Sequence, residues 1–266
     1  MNVAILAGGA GSRLFEETAV RPKPLVEIGG RPILWHLMDL YARQGFRDFV
    51  IALGYKGDQI KRYWADYCQL GGSISVDLAS GRVQQLDEQP ALDWHVQLIE
   101  TGESTGSGGR LRRIAPFLQE ATFMLTYTDG LADIDLDALL SFHREHGRLA
   151  TLTAVRPPGR FGQLELAGGR VEGFVEKPAH ESGWINGGFF VLEPGVFDYI
   201  DCDEDDWAAQ GLARLAADGQ LMAYQHQSFW QCMDTIQEKA YLDALCKNGA
   251  APWQGAGLVR TAARLV

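Results

Sequence analysis

Cysteine is sparse in this chain, and what there is stands apart. Cys68, Cys202, Cys232 and Cys246 are the four cysteines among 266 residues, and none forms a C-x-x-C pair. Such scatter supports neither a disulfide framework nor a structural zinc site, and it fits reduced thiols in a cytosolic protein. Long apolar runs are also missing. No segment reaches the length of a membrane span and no basic region precedes the short apolar start, so the expectation is a cytoplasmic protein without a leader or membrane anchor. Basic charge is in deficit: 24 Lys and Arg face 34 Asp and Glu, for a net charge of −10. That balance excludes broad binding to nucleic acid, and any polyanion site must carry its own cations or a metal ion. The histidines at 36, 95, 143, 146, 180 and 226 show no metal-ligand spacing, and His36, His143 and His146 fall on predicted helices as structural residues. There is no internal repeat, low-complexity tract or long linker.

What is present begins at the first residues, MNVAILAGGAGSRL. Val3–Ala7 is a nearly continuous apolar run, the pattern of a strand buried on both faces. Gly8, Gly9 and Gly11 then let the backbone turn and approach a ligand closely, so that its N–H groups converge on an anion. Arg13 adds a forked positive charge. The loop reads as a phosphate cradle, with a flexible turn as the plain alternative. It is not a P-loop, because Gly11 is followed by Ser12-Arg13 and not by Lys and Ser or Thr. It is not a dinucleotide fingerprint either, because Leu14 stands where the third glycine belongs.

The first half of the chain alternates strand and helix patterns. Pro32 and Gly45 bracket a helix with an apolar face of Ile33, Leu34, Leu37, Leu40 and Tyr41. DFVIAL (48–53) reads as a parallel strand, 57–67 as its helix, and SISVDL and HVQLIE as further strands. SGGRLRRIAPFL reads as loop and helix, TFMLTY (122–127) as a central buried strand ending at Thr128-Asp129-Gly130, and LDALLSFHREHG and TLTAV as helix and strand. This alternation predicts an α/β fold, a Rossmann-like, mainly parallel sheet covered by helices on both faces. The second half is richer in β-structure: a hairpin around Gly168-Gly169, a strand at GGFFVL, a helical segment near 205–217, the strand LMAYQH, and a last helix over 235–249 with apolar residues at 236, 240, 241, 244 and 245. The expectation is one domain over 1–253, with 1–150 mainly the nucleotide-binding half and 151–253 mainly a smaller, β-rich sugar-phosphate half, followed by a loosely ordered tail over 254–266. Trp64, Trp94 and Tyr127 read as core residues.

Several side chains could carry chemistry. Lys23, held between Pro22 and Pro24, reads as a solvated loop lysine or as a phosphate ligand, and its closeness to the glycine loop favours the second. Asp129 follows a buried strand, where open α/β sheets bind ligands, and could hold a divalent cation or serve a turn. Asp234 reads first as the N-cap of the last helix and second as a metal ligand. Glu176, Lys177 and Asn186 sit at ends of second-half strands, with chemistry suited to a phosphate and to paired sugar hydroxyls.

Taken together, AILAGGAGSRL, PKPLVEIGGRPILWH, GYKGDQIKRYWADY, TYTDGLADIDLDAL, PPGRFG, VEKP, INGGFFVL and FWQCMDTIQEK closely resemble the sugar-1-phosphate nucleotidyltransferases, and within them the glucose-1-phosphate cytidylyltransferases. The resemblance runs to about Trp253. It implies transfer of a cytidylyl group from CTP to α-D-glucose 1-phosphate, with release of pyrophosphate and formation of a CDP-sugar for deoxysugars of surface polysaccharide. No protein nucleophile is required, so the enzyme's task is alignment and charge neutralisation. The resemblance further implies that Leu6, Ala7, Gly8, Gly9, Ala10, Gly11, Ser12 and Arg13 enclose the nucleotide, with Arg13 near the departing pyrophosphate and Lys23 at the α-phosphate. Ser104, Gly109, Arg110 and Thr128 would contact or flank the nucleotide. Asp129 and Asp234 would hold Mg²⁺, and Glu176, Lys177 and Asn186 would receive the sugar phosphate. A homo-oligomer, a hexamer, is implied in the same way. UTP or dTTP in place of CTP, another sugar phosphate, and a non-catalytic nucleotide-sensing subunit remain the alternatives.

Overall fold

The computed structural model describes residues 1–11, 14–70, 72–87, 92–118, 121–158, 163–167, 170–175 and 183–255, with backbone alone along 163–167 and 171–175. Its elements, in chain order, are β1 (Asn2–Ala7), α1 (Ile33–Arg43), β2 (Asp48–Leu53), α2 (Gly57–Gln69), β3 (Ile74–Asp77), β4 (Arg82–Gln85), β5 (His95–Glu100) and α3 (Ser107–Ile114). There follow β6 (Phe123–Tyr127), β7 (Gly130–Ala132), α4 (Leu136–His146), β8 (Ala150–Val155), β9 (Gln163–Ala167), β10 (Arg170–Val175), β11 (Ile185–Leu192), α5 (Leu212–Ala217), β12 (Leu221–Gln225), β13 (Trp230–Cys232) and α6 (Ile236–Lys247).

Seven strands form one twisted sheet in the order β12-β8-β11-β6-β1-β2-β5. All run the same way except β11, which lies antiparallel between β8 and β6. The strict alternation of side chains along a strand divides the core in two. Val3, Ile5 and Ala7 of β1 with Phe49, Ile51 and Leu53 of β2 face the layer that contains α1, α2 and α4. Ala4, Leu6, Val50 and Ala52 face the layer that contains α3 and α5. Both strands are apolar without a polar face because both faces are covered, and each fully buried Ile, Leu or Val contributes about 1.5–3 kcal/mol. The expected mainly parallel, two-layered α/β sheet is the observed architecture.

The path of the chain creates one crevice. From β1 the chain passes through α1 to β2 and through α2 to β5, moving outwards on one face. It then returns through α3 on the opposite face to β6, on the other side of β1. Loops from β1 and β6 therefore diverge at their carboxyl ends, and that is where such sheets bind ligands.

One expectation needs correction, the cap of the last helix, and three others gain detail. β3 is a strand, but it pairs only with β4 in a solvent-exposed ribbon, Val76 opposite Val83, and not with the main sheet. Its tight turn explains this: Asp77 Oδ1 accepts from Ala79 N, Ser80 Oγ donates to Asp77 Oδ2, and Gly81 takes φ +71°. So short a connection allows only an antiparallel neighbour. The segment near 205–217 opens as a π-helical turn, Trp207–Gly211, in which a side chain at Gly211 would strike the buried Trp207 ring. The last helix is capped by Thr235, not Asp234, through a reciprocal pair: Glu238 N donates to Thr235 Oγ1 and Thr235 N to Glu238 Oε2. Its buried residue is Leu242, while Ile236 and Tyr241 are exposed, because the helix lies along Gly29 and not flat on the sheet.

Other readings hold. The apolar face of α1 is fully buried, although Pro32 stands just before the helix rather than at its first position. The hairpin strands β9 and β10 pair antiparallel, and their turn at 168–169 lies outside the described residues. His36 Nε2 donates to Ile28 O and His143 binds Thr151 and Glu193; both imidazoles are buried, and burial lowers the pKa of each. Trp253 is buried and Gln254 O accepts from Arg43 Nη1, while 256–266 lie outside the described residues. Among the described residues no helix is long and apolar enough to cross a membrane.

Thr235→Ala removes one half of the capping pair. It is expected to destabilise the fold by about 1 kcal/mol, read as a lower urea midpoint with an unchanged denaturant slope.

Candidate active site

A cavity of about 470 Å³ opens where β1 and β6 end, a volume ordinary for a small-molecule site. Leu6 and Tyr127 sit in register on the two strands and both line it. Gly8, Gly9, Ala10 and Gly11 form one wall, whereas Ala7 is buried beneath them in the core. Gly11 has φ +62°, and a β-carbon there would press on Thr18 Cγ2 and Lys23 Cβ at 2.9 and 3.0 Å. The loop thus needs glycine both for its turn and for its contact with the Lys23 stem. Ser12 and Arg13 lie outside the described residues.

Lys23 opens a short 3₁₀ turn, Lys23–Leu25, fixed by prolines on both sides. It is buried, and its ammonium reaches two carboxylates. Nζ donates to Asp234 Oδ1 at 2.7 Å and to Asp129 Oδ2 at 3.2 Å. Asp129 follows β6 and leads into β7, and Asp234 follows β13. These two short strands pair antiparallel with Cys232 opposite Gly130, which makes neighbours of residues more than a hundred positions apart. Met233 N donates to Asp129 O at 2.7 Å, and Asp234 N donates to Glu238 Oε2 at 2.7 Å, so both backbones are held.

Arg110 also lines the cavity, but its guanidinium is already engaged. Nη1 donates to Leu53 O, Thr101 Oγ1 and Gly102 O at 3.0, 2.8 and 2.6 Å, and Nη2 donates to Glu103 O at 3.0 Å. Burial and the nearby Arg113 lower its pKa. Side chains at Gly8 or Gly54 would overlap this guanidinium, at 2.3 and 2.2 Å. Arg110 therefore ties the ends of β2 and β5 together at the cavity lining, packed against Gly8 after β1.

Ser104 and Thr128 line the cavity as expected, while Gly109 does not: its Cα packs against the Asp203 backbone, where a β-carbon would sit 2.2 Å from Asp203 O. Glu176 and Lys177 lie outside the described residues. Asn186 is described, is absent from the cavity lining, and its Oδ1 accepts from Gly188 N at 2.9 Å.

The cavity also holds residues that sequence reasoning missed: Glu103, Thr105, Ser107, Tyr127 and Asp206. Ser107 Oγ donates to Asp206 Oδ2 at 2.9 Å and accepts from Trp207 N at 2.8 Å. Gly106 N and Gly108 N donate to Asp203 O and Asp205 O, and both glycines leave room for that backbone. The run Gly106–Gly109 is the signal for a close backbone approach, but nothing local names residues 203–207 as the partner. Tyr127, expected in the core, packs edge-on to Phe190 while also lining the cavity, and burial raises its pKa.

Of the described charged side chains lining the cavity, Lys23 and Arg110 are positive while Glu103, Asp129, Asp206 and Asp234 are negative. A polyphosphate placed beside these carboxylates is favoured by a cation that accompanies it. Among the described residues no group of three or more His, Cys, Asp or Glu side chains could hold a metal. Two converging carboxylates, with the remaining ligands left to water and phosphate oxygens, suit a hard divalent cation such as Mg²⁺ and not zinc. The Lys23 ammonium, bound by both carboxylates, shows that they converge on one cation position.

The chain matches the nucleotidyl transferase family over residues 2–249. It is 48% identical over 255 residues to the glucose-1-phosphate cytidylyltransferases of Salmonella typhimurium and Salmonella typhi, covering 96% of this chain and 99% of each relative. Among solved structures, HddC from Yersinia pseudotuberculosis shares the fold, with a TM-score of 0.68 at 22% identity over 93% of this chain and 99% of that one. The glycine wall, the engaged arginine and the paired carboxylates thus sit on the scaffold of an established enzyme group, and the chain belongs to the nucleotidyl transferase family.

Proposed function

We propose that residues 1–253 act as one unit that transfers the cytidylyl group of CTP to α-D-glucose 1-phosphate, giving CDP-glucose and pyrophosphate with Mg²⁺. The single observation that carries this reading is the meeting of Lys23, Asp129 and Asp234 beside the Gly8–Gly11 wall, on a chain 48% identical to enzymes named for that reaction.

In the reaction a phosphate oxygen of the sugar phosphate attacks the α-phosphorus of CTP. The new P–O bond forms as the bond to the β-phosphate oxygen breaks, and the electron pair leaves with pyrophosphate. No acid or base is required, so the protein's contribution is alignment and charge. Bound Mg²⁺ supplies positive charge to the phosphates, and Asp129 and Asp234 would hold it. The backbone of Leu6–Gly11, with Ser12 and Arg13, would enclose the triphosphate, and Arg13 would face the departing pyrophosphate. Lys23 would bring its ammonium to the α-phosphate. Ser104, Thr128 and the floor over Arg110 would seat the nucleoside end, and Gly109 would support that floor through its packing on Asp203. Glu176, Lys177 and Asn186 would receive the sugar phosphate. The enzyme would work in the cytoplasm, as its scattered cysteines suggest, and as a homo-oligomer, as the resemblance of the sequence implies.

Purified protein given CTP, glucose 1-phosphate and Mg²⁺ is expected to release pyrophosphate, and to do so faster than with UTP or dTTP or with other sugar 1-phosphates. No release with any pair in such a matrix would remove the proposal, and tight CTP binding without turnover would mark a sensing subunit instead. Asp129→Asn is expected to lower kcat roughly a hundredfold or more with the melting temperature nearly unchanged; near wild-type turnover would remove Asp129 from the metal site.

A further inference from the structure

The ammonium of Lys23 and a divalent cation compete for one place. Nζ lies 2.7 Å from Asp234 Oδ1 and 3.2 Å from Asp129 Oδ2, so it occupies the position toward which both carboxylates point. Two positive charges cannot share that position without repulsion, and the surrounding protein screens them poorly because Lys23 and Asp234 are buried. The stem of Lys23 is pinned between Pro22, Pro24 and the Cα of Gly11, but the side chain also lines the cavity. Rotation about its outer bonds would carry the ammonium from the carboxylates toward a ligand in that cavity, with no movement of the backbone.

We infer that Lys23 is a resident counter-ion that makes metal binding conditional on the nucleotide. Without nucleotide, the ammonium neutralises one of the two carboxylate charges, holds Asp129 and Asp234 together and keeps a divalent cation out. When a triphosphate enters, its oxygens accept the ammonium and supply ligands to the metal, so the carboxylates exchange one cation for the other. Metal and nucleotide then favour each other's binding, and the coupling is reciprocal. The same lysine that neutralises phosphate charge thereby orders the site before the phosphate arrives. This rests on the metal-dependent reading of the site given above.

The test is a titration of nucleotide-free protein with Mn²⁺, with free ion followed by electron paramagnetic resonance, which does not depend on turnover. Wild-type protein should bind Mn²⁺ weakly. K23M and K23Q, which remove the charge and shorten the side chain by one atom, should each bind at least about tenfold more tightly, within the 5- to 150-fold range usual for coupled sites. K23R should bind as weakly as wild type. Adding D234N to K23M should abolish the gain, which places it between these carboxylates. Equal or weaker Mn²⁺ binding by both neutral variants, or a gain that survives D234N, would overturn the inference. Two neutral variants guard against a folding defect in one. A wild-type protein that binds Mn²⁺ as described but releases no pyrophosphate would defeat the proposed reaction and leave the counter-ion role standing.

Discussion

Everything in the site is arranged around one electrostatic problem: two carboxylates, one of them buried, face the same small volume. Left alone, Asp129 and Asp234 would repel each other across that volume. The Lys23 ammonium resolves this with hydrogen bonds to both. A buried ion pair of this kind adds little net stability once desolvation is counted. Its position on the lining of a cavity fits the proposed role of these carboxylates in holding a metal ion.

Backbone devices hold the three charges in place, and each is small. The β7–β13 ribbon sets the spacing of Asp129 and Asp234 through its register. Glu238 clasps Asp234 and Thr235 from the first turn of α6, so the cap of a helix also steadies the backbone of Asp234. Two prolines and the Cα of Gly11 aim Lys23. Arg110, with four hydrogen bonds to the ends of β2 and β5 and to the segment that follows, makes a rigid floor of chain ends that would otherwise diverge. A reaction that needs alignment more than acid–base chemistry is well served by such rigidity.

Much of this was legible in the sequence where the signal was local. Unbroken apolar runs at Val3–Ala7 and Phe49–Leu53 announced strands covered on both faces, and helical spacing from Ile33 to Tyr41 announced the helix between them. The legibility failed where a partner lay far away. SISVDL has the alternation of a strand, but alternation alone does not say which strand will be beside it, and a four-residue turn decided in favour of β4. Asp234 looks like a helix cap because it precedes an apolar helix. Thr235 wins that role because Glu238, three residues further on, completes a reciprocal pair with it and leaves the aspartate's side chain for the site.

The order of residues by itself determined the α/β layering, the glycine-rich turn after the first strand and the chemistry on offer, because strand, helix and turn preferences act over a few positions. Tertiary structure alone decided that Asp129 and Asp234 share one cation, that Asp206 meets Ser107, and that Arg110 lies under Gly8 and Gly54. The reason is that each of these contacts joins segments far apart in the chain. Their meeting follows from the crossing of the chain at the middle of the sheet and from strand register, and no stretch of local sequence encodes either.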